Sequence, residues 1–225
     1  MSRKPLPSEF LQYLATYENG HEDPDRLPPL GELSAKIGIS VPKLREQMEA
    51  ARHLGLVEAR PRTGIRRKPY TFSVTPSLLY AVALNPDNFR AFSELRNQLE
   101  AAFWEEAIKA LTSKDHVLLE NCVALAWEKL NGTPIRIPHA EHRTLHLTIF
   151  SRIENPFVRG LLEAYWEAYE AVELDSYADY AYLREVWGYH QRIVEAIVHG
   201  DIEASRQAFI EHTCLLRHRP IAKQQ

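Results

Sequence analysis

His142, His146, His190 and His212 are the residues of this chain whose types and spacing suit metal chemistry. A neutral imidazole offers a lone pair to a transition-metal ion, and several converging imidazoles make a binding site. The interval of four between His142 and His146 puts both rings on one helix face. His190 falls in the apolar stripe Tyr182, Val186, His190, Ile193, Ile197, and His212 in the stripe Ile202, Phe209, His212, Leu216. At about 100° per residue, His199 lies on the face opposite His190, and His218 is rotated away from His212. Four histidines turned inward on helices predict a buried metal centre. Arg96 is the second candidate. It shares a helix face with Phe92, Leu99 and Phe103, which points its guanidinium inward, where it requires an anionic partner. That partner is either an internal carboxylate or a small carboxylate ligand held between metal and Arg96. Trp104, Trp127, Trp166, Tyr165 and Tyr169 are available as pocket lining or as plain core and dimer contacts.

The elements that must position these side chains are helices. Glycine is scarce, at 9 of 225 residues, and long amphipathic runs follow residue 76. Breaks near Asn85-Pro86, Thr112-Ser113, Gly132 to Pro138, Asn155-Pro156, Asp175-Ser176 and His199-Gly200-Asp201 divide this half into six or seven helices, which predicts an antiparallel all-helical bundle. No stretch reaches the roughly 18 apolar residues of a membrane span. The segment Met1-Ser2-Arg3-Lys4-Pro5 is followed by no apolar signal region. Cys122 and Cys214 are isolated thiols without a CxxC spacing, as in a reducing compartment. A cytoplasmic protein without membrane association is expected.

The net charge of −3 hides an asymmetry. Lys36 to Lys68 carries nine Lys/Arg against three Glu, whereas residues 76–225 carry 15 basic and 21 acidic side chains. A basic module joined to an acidic body suggests that the first part meets a polyanion. Phe10, Leu11, Leu14 and Tyr17 mark a first helix, and a second runs from about Leu30 to Ile37 and stops at Gly38. Ser40 caps a third, with Pro42 in its first turn, and that helix ends near Leu54-Gly55. Helix, short turn, helix is the helix-turn-helix pattern, whose second helix enters a major groove. Leu56 to Arg60 and Ile65 to Arg67 then form a two-stranded wing with Arg62 and Gly64 at its tip. Lys43, Arg45 and Arg52 on the helix, with Arg60, Arg62, Arg66 and Arg67 on the wing, are expected to hold phosphates and to reach base edges.

The stretch from Leu27 to about Arg67 resembles the winged helix-turn-helix of the GntR family of bacterial transcription regulators. Ser40, Arg45 and Glu46 fall at recognition-helix positions of that family, and Gly55-Leu56-Val57 with Arg62 and Gly64 matches its wing. Val41 stands where the family commonly has a DNA-contacting arginine, which implies a different operator sequence. The second half resembles the FCD-type ligand-binding domain of the FadR subgroup, through "ELRNQLE" (Glu94 to Glu100), "HRTLHLTIFSRIENP" (His142 to Pro156) and the closing segment from Tyr189 to Leu216. The resemblance implies domains of 1–72, a winged helix-turn-helix, and 73–225, an all-helical metal- and effector-binding domain.

In metal-containing members of this subgroup an aspartate and three histidines bind a divalent ion. His146, His190 and His212 match the histidines, and His142 stands at the aspartate position. Four neutral imidazoles carry no negative charge, which favours Zn²⁺, with Ni²⁺ second, over Mg²⁺ or Ca²⁺. Alternatively three histidines bind, and water or an effector completes the site; Glu141 and His139 are poorer substitutes by helical phase. The expected function is a homodimeric regulator, with repression relieved by ligand as the expected sign, that binds a double-stranded operator and responds to a small carboxylate effector at Arg96. A direct metal sensor and a metal-dependent hydrolase are the alternatives, the latter without an HExxH motif in support.

Overall fold

The computed structural model describes residues 6–17, 23–60, 64–173 and 180–217. Arg62 at the wing tip, the break at 175–176, the Leu216 side chain and His218 lie outside the described residues. The chain divides into two compact units, Met1–Thr71 and Phe72–Gln225.

The first unit contains α1 (Glu9–Thr16), α2 (Leu30–Ile37), α3 (Val41–His53), β1 (Val57–Arg60) and β2 (Gly64–Arg67). Local chemistry sets these boundaries. Ser8 caps α1 by accepting the Leu11 N–H at 3.0 Å, and Ser40 caps α3 by accepting from the Lys43 N–H at 3.4 Å. The turn between α2 and α3 needs a left-handed residue, and Gly38 supplies it at φ 78°. β1 and β2 pair antiparallel, with Val57 opposite Arg67 and Arg60 opposite Gly64. Alternation along the hairpin sends Val57 and Ile65 into a core with Phe10, Leu14, Leu33, Leu44 and Ala51. The result is a small helical module with a two-stranded wing.

The second unit is a bundle of seven helices among the described residues: α4 (Thr75–Leu84), α5 (Asp87–Ala110), α6 (Ser113–Asn131), α7 (His139–Ile149), α8 (Pro156–Glu173), α9 (Tyr180–Val198) and α10 (Ile202–Arg217). Gly200, at φ 77°, ends the turn after α9, and Asp201 caps α10 by accepting the Ala204 N–H at 2.9 Å. α9 packs against α6 and α10, α5 against α8 and α10, and α6 against α7. Trp104 on α5 anchors this interior: its ring stacks on Phe209 at 4.5 Å and meets the edge of Phe150 at 5.9 Å. Its indole N–H donates to Ser205 Oγ at 3.0 Å, so the buried donor is satisfied. Gly160 lets α8 approach the chain at Phe72, where a Cβ would lie 2.0 Å from the Phe72 carbonyl oxygen. None of the described helices is long and apolar enough to cross a membrane.

Candidate metal centre and nucleic-acid interface

Three helices of the bundle deliver the histidines. α7 turns His142 and His146 inward beside Leu145 and Ile149, α9 buries His190 between Val186 and Ile193, and α10 contributes His212 one turn beyond Phe209. One ring nitrogen from each lies within 4.8 Å of the others, and His146 Nε2 and His190 Nε2 face each other at 3.1 Å. Four nitrogens bound tetrahedrally to zinc at ~2.0–2.1 Å are about 3.4 Å apart, so small adjustments suffice. Both nitrogens of His212, and Nδ1 of His190, are buried without a hydrogen-bond partner. Leaving such a group unsatisfied costs about 1–3 kcal/mol. A bound cation would take the single lone pair that each neutral imidazole offers and so partner one of the two His212 nitrogens, and the donor set fits a borderline divalent ion.

Burial holds all four imidazoles neutral, as a metal ligand must be. It pushes His142, His146 and His190 well below the usual 6.5, and His212 to about 3, with the Arg96 charge acting in the same direction on each. Lowered folded pKa values mean that the unfolded chain binds more protons below pH 6.5, so stability falls as pH falls. Glu100 works oppositely. Burial raises its carboxyl from 4.5 to about 7, so its contribution is present below pH 4.5 and lost as pH rises toward 7. With four groups against one, metal-free protein should show a Tm that declines from pH 7 to pH 5. A flat or rising Tm in thermal melts over that range would contradict the buried neutral cluster.

Arg96 had two candidate partners, and the structure contains the internal one. Its guanidinium Nη2 lies 2.9 Å from Glu100 Oε2, one helical turn along α5, with both side chains buried. The same nitrogen donates to His146 Nδ1 at 2.7 Å, and Nη1 donates to Asn97 Oδ1 at 3.2 Å. The Tyr165 ring lies 4.7 Å from the guanidinium carbon. Glu100 is the residue that sequence reasoning missed, although Arg96 and Glu100 stand four apart on an apolar helix face. Trp166 and Tyr169 pack at 4.7 and 5.6 Å from the His142 ring, whereas Trp127 is turned to Gln191, to which its N–H donates at 2.9 Å. Glu141 is engaged by Lys129 at 2.6 Å. Exposed His199 is bonded through Nδ1 to the Glu195 carbonyl at 2.7 Å.

In the first unit the expected DNA-facing cations among the described residues are on the surface, and most of these already hold a carboxylate. Lys43 pairs with Glu9, Arg52 with Glu49 at 2.8 Å, and Arg60 with Glu58 at 3.1 Å. Arg66 is held by both oxygens of Asp23, one at 3.0 Å, which ties the wing to the segment before α2. Arg67 donates to the Tyr17 carbonyl at 3.1 Å. Arg45 is exposed on α3 with no ion pair to any described residue. Gly64 opens β2 in the left-handed region at φ 80°.

Residues 91–214, more than half of the chain, match the FCD domain. The chain belongs to the FCD-domain regulators of the GntR family. All four histidines, Arg96 and Glu100 fall within the matched FCD region, where the buried cluster is consistent with metal binding. The FCD chain is 24% identical over 193 residues to the Uxu operon transcriptional regulator of Escherichia coli (strain K12), covering 84% of this chain and 75% of that one. It is 23% identical over 201 residues to the uncharacterised HTH-type transcriptional regulator YcbG of Bacillus subtilis (strain 168), with 87% and 80% covered. A GntR structure from Streptococcus agalactiae shares the fold, at a TM-score of 0.67 and 18% identity over 87% of this chain and 91% of that one. The protein is a transcription regulator and not an enzyme, which sets the hydrolase alternative aside.

Proposed function

We propose that this regulator is a cytoplasmic homodimer that represses transcription from a roughly palindromic operator, and that its FCD domain holds zinc, with nickel as the second candidate. The observation that carries the metal assignment is the convergence of four buried, neutral imidazoles, one ring nitrogen from each lying within 4.8 Å of the others. When bound, the ion supplies a Lewis-acid anchor that ties α7, α9 and α10 together. His142, His146, His190 and His212 are the proposed ligands.

Arg96 is the proposed contact for a small organic acid. Such a ligand must compete with Glu100 for the guanidinium, so binding would rearrange the Arg96–Glu100 pair beside His146. Operator and effector would then alter each other's affinity by the same factor. On the DNA side the proposed contacts are Lys43, Arg45 and Arg52 on α3, and Arg60, Arg62 and Arg66 on the wing. Ser40 and Gly64 are proposed to shape the backbone that presents them. Four histidine donors also fill a tetrahedral ion completely, which favours a second reading in which the metal itself is the signal.

Elemental analysis and native mass spectrometry on protein purified without chelators test the proposal. One divalent ion per chain is expected, with a small acid co-purifying. Protein that carries no ion and takes up neither zinc nor nickel would overturn the metal assignment. Operator affinity that follows free zinc without any organic ligand would select the metal-sensing reading.

A further inference from the structure

His146 is held in the wrong tautomer for ligating. Its Nδ1 accepts a hydrogen bond from Arg96 Nη2 at 2.7 Å, and a neutral imidazole that accepts at Nδ1 carries its proton on Nε2. Nε2 is the nitrogen that faces the cluster, 3.1 Å from His190 Nε2. One of the four inward nitrogens therefore bears a hydrogen where a metal needs a lone pair. For Nε2 to ligate, the proton must be on Nδ1, and Nδ1–H then needs an acceptor. The carboxylate of Glu100 is in place for this. Its Oε1 lies 3.5 Å from His146 Nδ1, is buried, and has no hydrogen-bond partner. An outer carboxylate that accepts from a ligating histidine fixes ring orientation and raises ligand basicity.

We propose that Glu100 is the positioning residue of the metal centre, selecting the Nδ1–H tautomer of His146 that ligates, while Arg96 selects the opposite tautomer and opposes metal loading. The inference rests on the metal centre proposed above. The change between the two states conserves protons: Nε2 loses one and Nδ1 gains one, with no change in ring charge. Arg96 has to withdraw from Nδ1 in the loaded state, keeping Asn97 and the other Glu100 oxygen as its partners. Any carboxylate that draws the guanidinium away favours the same state, so anion and metal binding reinforce each other.

Nitrogen-15 NMR of the histidine rings distinguishes the tautomers directly. In metal-free protein the His146 ring should report Nε2–H, and after zinc addition Nδ1–H. Glu100→Gln, a weaker acceptor, should bind zinc about 10–100-fold less tightly in a chelator competition, with a folded metal-free state shown by circular dichroism. A purely structural role for Glu100 would lower Tm and leave both the tautomer change and the zinc affinity of folded protein as they were. Nδ1–H in the metal-free protein, or a Glu100→Gln affinity within twofold of the parent, would overturn the proposal. Should the variant fail to fold, the spectra of the unmodified protein decide alone. If that protein binds zinc but shows no tautomer change, only Glu100's role falls; if it binds no zinc, the metal centre falls with it.

Discussion

Alanine in place of His190 or His212 is expected to weaken zinc binding by roughly 10²–10³-fold, taking about 10–16 kcal/mol for a four-ligand zinc site as shared among its ligands. Both rings are fully buried, so neither solvent nor a surface side chain can take the lost position. The same loss should be visible in stability. Zinc at 100 times its Kd contributes about 2.7 kcal/mol to the parent protein, or roughly 5–10 °C in the Tm of a domain this size, and the variants should show little of that rise. His142→Ala should behave like the other two, because the His142 nitrogen lies in the same 4.8 Å cluster. His142→Asp, which puts a carboxylate ligand in place of one imidazole, should keep metal binding and shift preference toward harder ions. His199→Ala removes an exposed imidazole outside the cluster and serves as the control. Isothermal titration and thermal melts with and without zinc check all of these, and unchanged affinity in His190→Ala and His212→Ala would refute the site.

The second large effect concerns DNA. Arg45→Ala should weaken operator binding by about 1–3 kcal/mol, or roughly 5–150-fold, and lower the salt dependence by the equivalent of one phosphate contact if Arg45 meets the backbone. Its exposed guanidinium has no carboxylate to release among the described residues, so its full charge is available to a phosphate or a guanine edge. Lys43→Ala and Arg52→Ala should cost less. Each of those cations gives up a surface ion pair with Glu9 or Glu49 on binding, and such pairs are worth up to about 1 kcal/mol. Fluorescence anisotropy on DNA from the region upstream of its own gene, at several salt concentrations, separates the three variants. Equal affinity for Arg45→Ala and the parent would remove Arg45 from the interface.

Much of this architecture is written in short-range signals. Gly38 and Gly200 stop their helices because the next residue must enter through a left-handed turn, and Ser40 and Asp201 cap the helices that follow because their side-chain oxygens reach free N–H groups three residues on. The inward direction of the histidines is also local. Helical phase alone puts His142 with His146, places His190 among Val186, Ile193 and Ile197, and turns His199 outward. Lys43–Glu9 and Arg66–Asp23, at separations of 34 and 43 residues, were not legible in this way. Either carboxylate had many cations within reach of a flexible chain, and only packing chose among them.

The sequence by itself determined which side chains face the interior of the bundle, since periodicity and turn chemistry act over a few residues. The tertiary structure decided what those side chains meet. Arg96 and Glu100 share a helix turn, but the His146 ring that both approach lies 50 residues beyond Arg96 in the chain, brought there by the packing of α7 into the bundle. The competition for His146 Nδ1 therefore exists only once the helices have closed, because a hydrogen bond of 2.7 Å from Arg96 and an approach of 3.5 Å by Glu100 depend on ångström-scale placement that no pattern of residue types specifies.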